Sequence, residues 1–196
     1  LSQVPAYSTS VLGGNNEVVT LLLTMFSIGI GLGAMMCEKM SRGSIELGLV
    51  PLGAIGITLF SIDLYFASQS FIALPNGDMM ARQFLEISGS WRILIDLALV
   101  GLFGGFYTVP LSAMVQKRSN FHHRAQIIAA NNILNALFMV ISAFSTVILL
   151  HVGFSIPQIF LSLGVLNVAV ATILFLQLPA FMQRFTAYLR FNRKGE

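Results

Sequence analysis

A short charged elbow between two long apolar runs limits most severely what this chain can fold into. Residues 29–43 read Gly-Ile-Gly-Leu-Gly-Ala-Met-Met-Cys-Glu-Lys-Met-Ser-Arg-Gly. An apolar run from Val18 leads into them and a second, over residues 47–66, leads away. Each run is roughly 20 residues long, enough to cross the hydrocarbon core of a bilayer. Only Glu38, Lys39, Arg42 and Glu46 carry charge in between, in a segment too short to build a domain. The elbow therefore reads as a tight turn at one membrane face, and it sets the direction of the first two spans.

Composition supports that reading. Charged residues make up 10% of the 196 residues, against about 25% in a typical soluble domain, so a water-soluble fold is excluded. The formal net charge is +3, and the cations cluster at the ends of apolar runs, which suits anionic lipid headgroups rather than nucleic acid. Cys37 is the single cysteine, so neither an internal disulfide nor a multi-cysteine metal site is available. No secretory leader pattern precedes the first span. A chain opening on Leu1 is expected to be a piece of a longer protein.

The apolar pattern predicts an all-α integral membrane fold of about five helices, at residues 18–36, 47–66, 91–115, 127–150 and 156–178. Residues 1–16 are too polar to span and read as the end of a preceding element plus an outer-side loop. Residues 17–180 form the membrane domain. Pro75-Asn76-Gly77-Asp78 marks a turn, with a short surface helix expected over residues 79–87. Residues 181–196 form a basic tail or linker in which Phe181, Phe185 and Leu189 repeat every four residues, as in a helix lying on a lipid surface.

Alternating spans place Lys39, Arg42, Lys117, Arg118, Arg124, Arg184, Arg190, Arg193 and Lys194 on one face, and only Arg82 and Arg92 on the other. By the positive-inside rule the first face is cytoplasmic, and so is the C-terminus. Trp91 falls at the outer interface.

Residues able to carry chemistry are few. No nucleophile–base pattern or phosphate-binding loop occurs. His122-His123 are adjacent and point to different helix faces, so no metal site and no cofactor is expected. Ionisable residues at membrane depth are more informative, because each costs about 3 kcal/mol unless it meets a partner or a water-filled cavity. Asp63 lies near the outer end of the second span, and Arg92 and Asp96 share a face of the third at i, i+4. The trio reads either as a structural ion pair, with Arg92 snorkelling, or as a substrate-headgroup or proton site open to the outside. Asn131, Asn132 and Asn135 on the fourth span either bond a neighbouring helix or line a polar cavity, as do Asn167 and Gln177 more weakly. Gly29-x-x-x-Gly33 and Gly101-x-x-x-Gly105 have the spacing of close helix contacts. Gly104-Gly105 with Pro110 predicts a kink and a moving gate.

The arrangement resembles the major facilitator superfamily, in which each six-helix half carries Gly-x-x-x-Asp-Arg-x-Gly between its second and third helices. Here Gly33-Ala-Met-Met-Cys-Glu-Lys-Met-Ser-Arg-Gly43 takes that place. Cys37 stands where the Asp is expected, and Glu38-Lys39 replaces the Arg step. Gln3-Val-Pro-Ala-Tyr7, Leu12-Gly-Gly-Asn15, Val50-Pro-Leu-Gly-Ala-Ile-Gly56, Gly104-Gly-Phe-Tyr-Thr-Val-Pro-Leu111 and Ile127-Ile-Ala-Ala-Asn-Asn-Ile-Leu-Asn-Ala-Leu-Phe138 look like bacterial lysophospholipid transporters. The likeness is nearest to the form fused to a glycerophosphoethanolamine acyltransferase and an acyl-carrier-protein synthetase.

The resemblance implies the C-terminal half of such a transporter, from the outer end of helix seven through helix twelve. It implies a bacterial inner-membrane location, and membrane lipids and the missing N-terminal half as partners, with the enzyme domains possible downstream. The implied activity is movement of lysophosphatidylethanolamine to the inner leaflet for reacylation, which this half alone does not perform. A small-molecule exporter or proton-coupled symporter on the same fold, or a membrane anchor for an acyltransferase, are the alternatives. An integral-membrane enzyme is disfavoured.

Overall fold

The computed structural model describes residues 3–41, 48–72, 78–119 and 123–177. Arg42, Glu46, His122, the Pro75-Asn76-Gly77 turn and the basic tail lie outside the described residues. Helices in chain order are α1 (Val4–Tyr7), α2 (Asn16–Ser41), α3 (Leu49–Ser70), α4 (Ala81–Glu86), α5 (Ser88–Arg118), α6 (Arg124–His151) and α7 (Ile156–Gln177). A π turn, Ser8–Leu12, extends α1 and ends at Gly13, whose φ of 68° suits a residue without a side chain. Among the described residues, five helices are long and apolar enough to cross a membrane. The architecture is that of an all-α, multi-pass membrane protein.

Sequence signals explain where several helices begin. Asn15 accepts a hydrogen bond from the Glu17 N–H (2.9 Å) and caps α2. Ser155 and Gln158 form a reciprocal capping box at the start of α7, with Pro157 in its first turn. Between α6 and α7 the chain turns at Gly153, φ 98°.

Helix α2 is apolar all round, yet it buries a single stripe: Val18, Leu22, Gly29, Gly33 and Cys37. That stripe meets α5, and the glycines let the two backbones touch. A methyl group on Gly29 would stand 2.0 Å from the Ala98 carbonyl oxygen, and one on Gly33 would stand 2.2 Å from that of Leu102. The α5 glycines answer in kind, Gly101 against Phe26 and Gly105 against Ala34. Residue numbers rise together on both sides of this contact, so α2 and α5 run parallel. Gly104 takes no part, since a methyl group there would meet nothing within 4 Å.

Helix α3 lies antiparallel to α5 on its other side. Gly53 seats the backbone of Phe103 and Tyr107, and Gly56 seats the Phe103 ring. Beyond α3 comes α7, again antiparallel, with Gly164 against Ser61 and Ile62. Four of the apolar helices thus form a row in the order α2, α5, α3, α7. The α1 segment packs across one end of the row: Tyr7 is fully buried, its ring is edge-on to Phe160 at 5.2 Å, and its hydroxyl is hydrogen-bonded to Ser68 at 2.7 Å. The largest apolar core sits at this end and includes Leu12, Leu22, Leu64, Phe84, Ile93 and Leu97.

One sequence expectation needs adjustment. Helix α2 continues to Ser41, so Cys37 is not in an elbow but is buried in the helix against Leu49 and Phe106. Helix α5 runs from Ser88 to Arg118 and carries Pro110 within it. Helix α6 does not join the row: Thr146 is its only buried residue among those described, and it touches α7 near their shared turn.

Candidate functional site

Asp63, Arg92 and Asp96 come together between α3 and α5, near the end of the row that α1 covers. Because α3 runs on to Ser70, Asp63 sits about 10 Å along the axis from that helix end, a turn deeper than the apolar run suggested. Arg92 and Asp96 lie one and two turns into α5. The antiparallel packing of the two helices brings the three residues to one level.

Arg92 reaches across to Asp63 rather than along its own helix to Asp96. Its Nε–H donates to Asp63 Oδ2 at 3.2 Å and its Nη2 donates to Oδ1, a two-pronged pairing that fixes both planes. Both side chains keep partial access, 49% for Arg92 and 36% for Asp63. Asp96 behaves differently: it is 2% exposed, and its Oδ2 has no hydrogen-bond partner. It sits one turn along α5 from Arg92, on the same face of the helix. The result is a layered site. An ion pair forms its mouth and a second carboxyl forms its floor.

One arginine cannot neutralise two carboxylates. An uncompensated buried charge costs several kcal/mol, so the floor of this site calls for one more positive charge or donor. Chemically, it suits the cationic part of a ligand at the carboxyls and an anionic part at the exposed edge of Arg92.

The α6 amides are not part of this site. Asn131, Asn132 and Asn135 are all exposed, and none bonds to another described residue. Amides on an apolar helix are costly without partners. Asn167 on α7 is satisfied: its Nδ2 donates to the Ala54 carbonyl (2.8 Å) and to Thr58 Oγ1 (2.9 Å), tying α7 to α3. Alongside this tie runs an apolar groove of about 540 Å³, lined by residues such as Pro51, Ile55, Leu59, Val168 and Phe175.

Sequence reasoning did not single out Tyr7 and Ser68 as a pair. Tyr7 and Ser68 are 61 residues apart and their pairing has no local signal. A buried tyrosine does need a partner for its hydroxyl, which is the one hint a sequence offers. Among the described residues no group of three or more His, Cys, Asp or Glu side chains is placed to hold a metal. Comparison with family models, with curated proteins and with solved structures found no match to this chain.

Proposed function

We propose that this chain is the C-terminal half of a major-facilitator-type transporter of the bacterial inner membrane. Its cargo is lysophospholipid, foremost lysophosphatidylethanolamine, delivered to the inner leaflet for reacylation. The observation that carries this reading is the Asp63–Arg92–Asp96 cluster: two carboxylates and one guanidinium held at membrane depth with the ion pair partly open. A zwitterionic headgroup matches that pattern, with its ammonium at the carboxyls and its phosphate at Arg92. The apolar helices and the groove beside Phe175 suit an acyl chain.

The bare amide face of α6 fits a protein whose other helices cover it, here the N-terminal half. On this reading the C-terminus is cytoplasmic and leads toward the acyltransferase and acyl-carrier-protein synthetase. An anchor-only role explains the helices but has no use for a buried, incompletely neutralised carboxyl.

The test is made on the full-length protein in vesicles, with a fluorescent lysophosphatidylethanolamine in the outer leaflet and a membrane-impermeant quencher. The protein is expected to speed protection of the probe, and Arg92→Ala is expected to slow it at least tenfold with expression unchanged. No acceleration over empty vesicles, with the protein folded, sinks the lysolipid reading.

A further inference from the structure

We propose that the groove between α3 and α7 holds one acyl chain of an anionic phospholipid, drawn from the leaflet at the basic ends of the helices. On this assignment the chain that the groove suits belongs to a resident lipid and not to the cargo. The inference rests on the five-span path alone.

The walls of the groove are fixed by specific contacts. Gly164 brings α7 against Ser61 and Ile62 of α3, and Asn167 ties the two helices through the Ala54 carbonyl and the Thr58 hydroxyl. Alongside that tie the walls stand apart, with Pro51, Ile55 and Leu59 on one side and Val168, Ala171 and Phe175 on the other. No charged residue lines the groove, and its two hydroxyls are already used. Thr58 accepts from Asn167 at 2.9 Å, and Thr172 donates to the Val168 carbonyl at 2.7 Å. A polar ligand would lie there without partners, at a cost; hydrocarbon would not.

Dimensions favour a lipid chain over another helix. From Pro51 to Ile62 the α3 wall is about 16 Å long, about half of the hydrocarbon core, so the slot is one leaflet deep. Spread over that length, a volume of about 540 Å³ leaves a mean cross-section of about 33 Å², too narrow for a helix about 10–12 Å across.

Position and charge set the headgroup. Pro51 is the third residue of α3 and Phe175 the third from the end of α7, so the groove reaches the membrane face to which the sequence assigns most of the cations. From Leu97 to Gly195 the chain has seven Lys and Arg and no Asp or Glu, and four of those seven follow α7 in the sequence. Basic sites beside the ends of membrane helices attract anionic headgroups. A lipid whose chain fills the slot has its phosphate at that face.

The test is photolabelling of the full-length protein in phosphatidylethanolamine vesicles, using phosphatidylglycerol with a diazirine on its acyl chain and mass spectrometry of the labelled peptides. Label is expected on Ile55, Leu59 and Val168 at least fivefold above Ile173 and Leu176, which are exposed on α7 outside the groove. It is also expected at least threefold above the same chain carried on phosphatidylethanolamine. Ala171→Phe, which fills the slot, is expected to cut groove labelling at least fivefold, and Val170→Phe, outside it, to leave labelling unchanged. Should Ala171→Phe fail to fold, competition by unlabelled phosphatidylglycerol reads the same site. Equal labelling inside and outside the groove, or by both headgroups, overturns the proposal. So does a groove left unlabelled in folded protein, which means that protein covers it. Displacement of the probe by lysophosphatidylethanolamine gives the groove to the cargo and overturns the resident lipid. Labelling as expected in protein that takes up no lysolipid supports the resident lipid and removes the cargo reading alone.

Discussion

Gly33 and Leu102 meet backbone to backbone, so close that a single methyl group on Gly33 would stand 2.2 Å from the Leu102 carbonyl oxygen. Neither partner can retreat by moving a side chain, because the obstruction is main chain. The contact recurs a turn away at Gly29 and Ala98 and is answered by Gly101 and Gly105 from the other helix. Apolar side chains gain nothing over lipid by touching one another, so close backbone packing is what holds α2 to α5.

Gly33→Leu is therefore expected to separate α2 from α5 and to destabilise the folded protein by about 1–3 kcal/mol or more, the usual cost of overpacking. Gly104→Ala, with open space around it, is expected to stay within about 0.5 kcal/mol of wild type. Unfolding of the purified protein by graded SDS in mixed micelles reads both. Equal effects at the two positions contradict the packing described.

The Asp63–Arg92 pair tests how wet the mouth of the site is. Both side chains keep partial access, so a double-mutant cycle with Asp63→Asn and Arg92→Gln is expected to give a coupling of about 0.2–1 kcal/mol, typical of an accessible pair. A coupling of several kcal/mol in the same micelle assay means the mouth is closed.

Asn167 and Asn131 are both amides on apolar helices, yet their fates should differ. Asn167→Leu removes two bonds to α3 and is expected to cost about 0.6–1.7 kcal/mol. Asn131→Leu breaks no bond to another described residue and is expected to be neutral in its stability, while slowing lysolipid uptake by the full-length protein if α6 faces the other half. Micelle unfolding and vesicle uptake on the same two variants separate the roles.

Topology is testable without any assumption about cargo. With the buried Cys37 replaced by Ala, single cysteines at Lys117 and Arg193 are expected to react with an impermeant maleimide from the cytoplasmic side. One at Arg82 is expected to react from the outside. Labelling of positions 117 and 193 from opposite faces removes the five-span path.

The five apolar runs and the glycine spacings were legible in the sequence because both are properties of one helix at a time. Helix limits were less so: α5 starts at Ser88, three residues before Trp91, since polar residues at a helix end carry no hydropathy signal. Asp63, Arg92 and Asp96 stood out as charges in apolar surroundings, but the choice of Arg92 for Asp63 over Asp96 depends on how α3 packs on α5. The Tyr7–Ser68 bond was invisible for the same reason. Gly104 was grouped with Gly101 and Gly105 by adjacency, and only its position around the helix separates it from them.

The parallel pairing of α2 with α5 also bears on biosynthesis. Its two halves are about 70 residues apart, and at ordinary rates of synthesis α2 reaches the bilayer roughly 3–14 s before its partner is made. During that wait its glycine face has no mate, and any other small-residue helix nearby is a rival. The α2–α5 contact can therefore close only after α3 and α4, which lie between them in the chain, have been made.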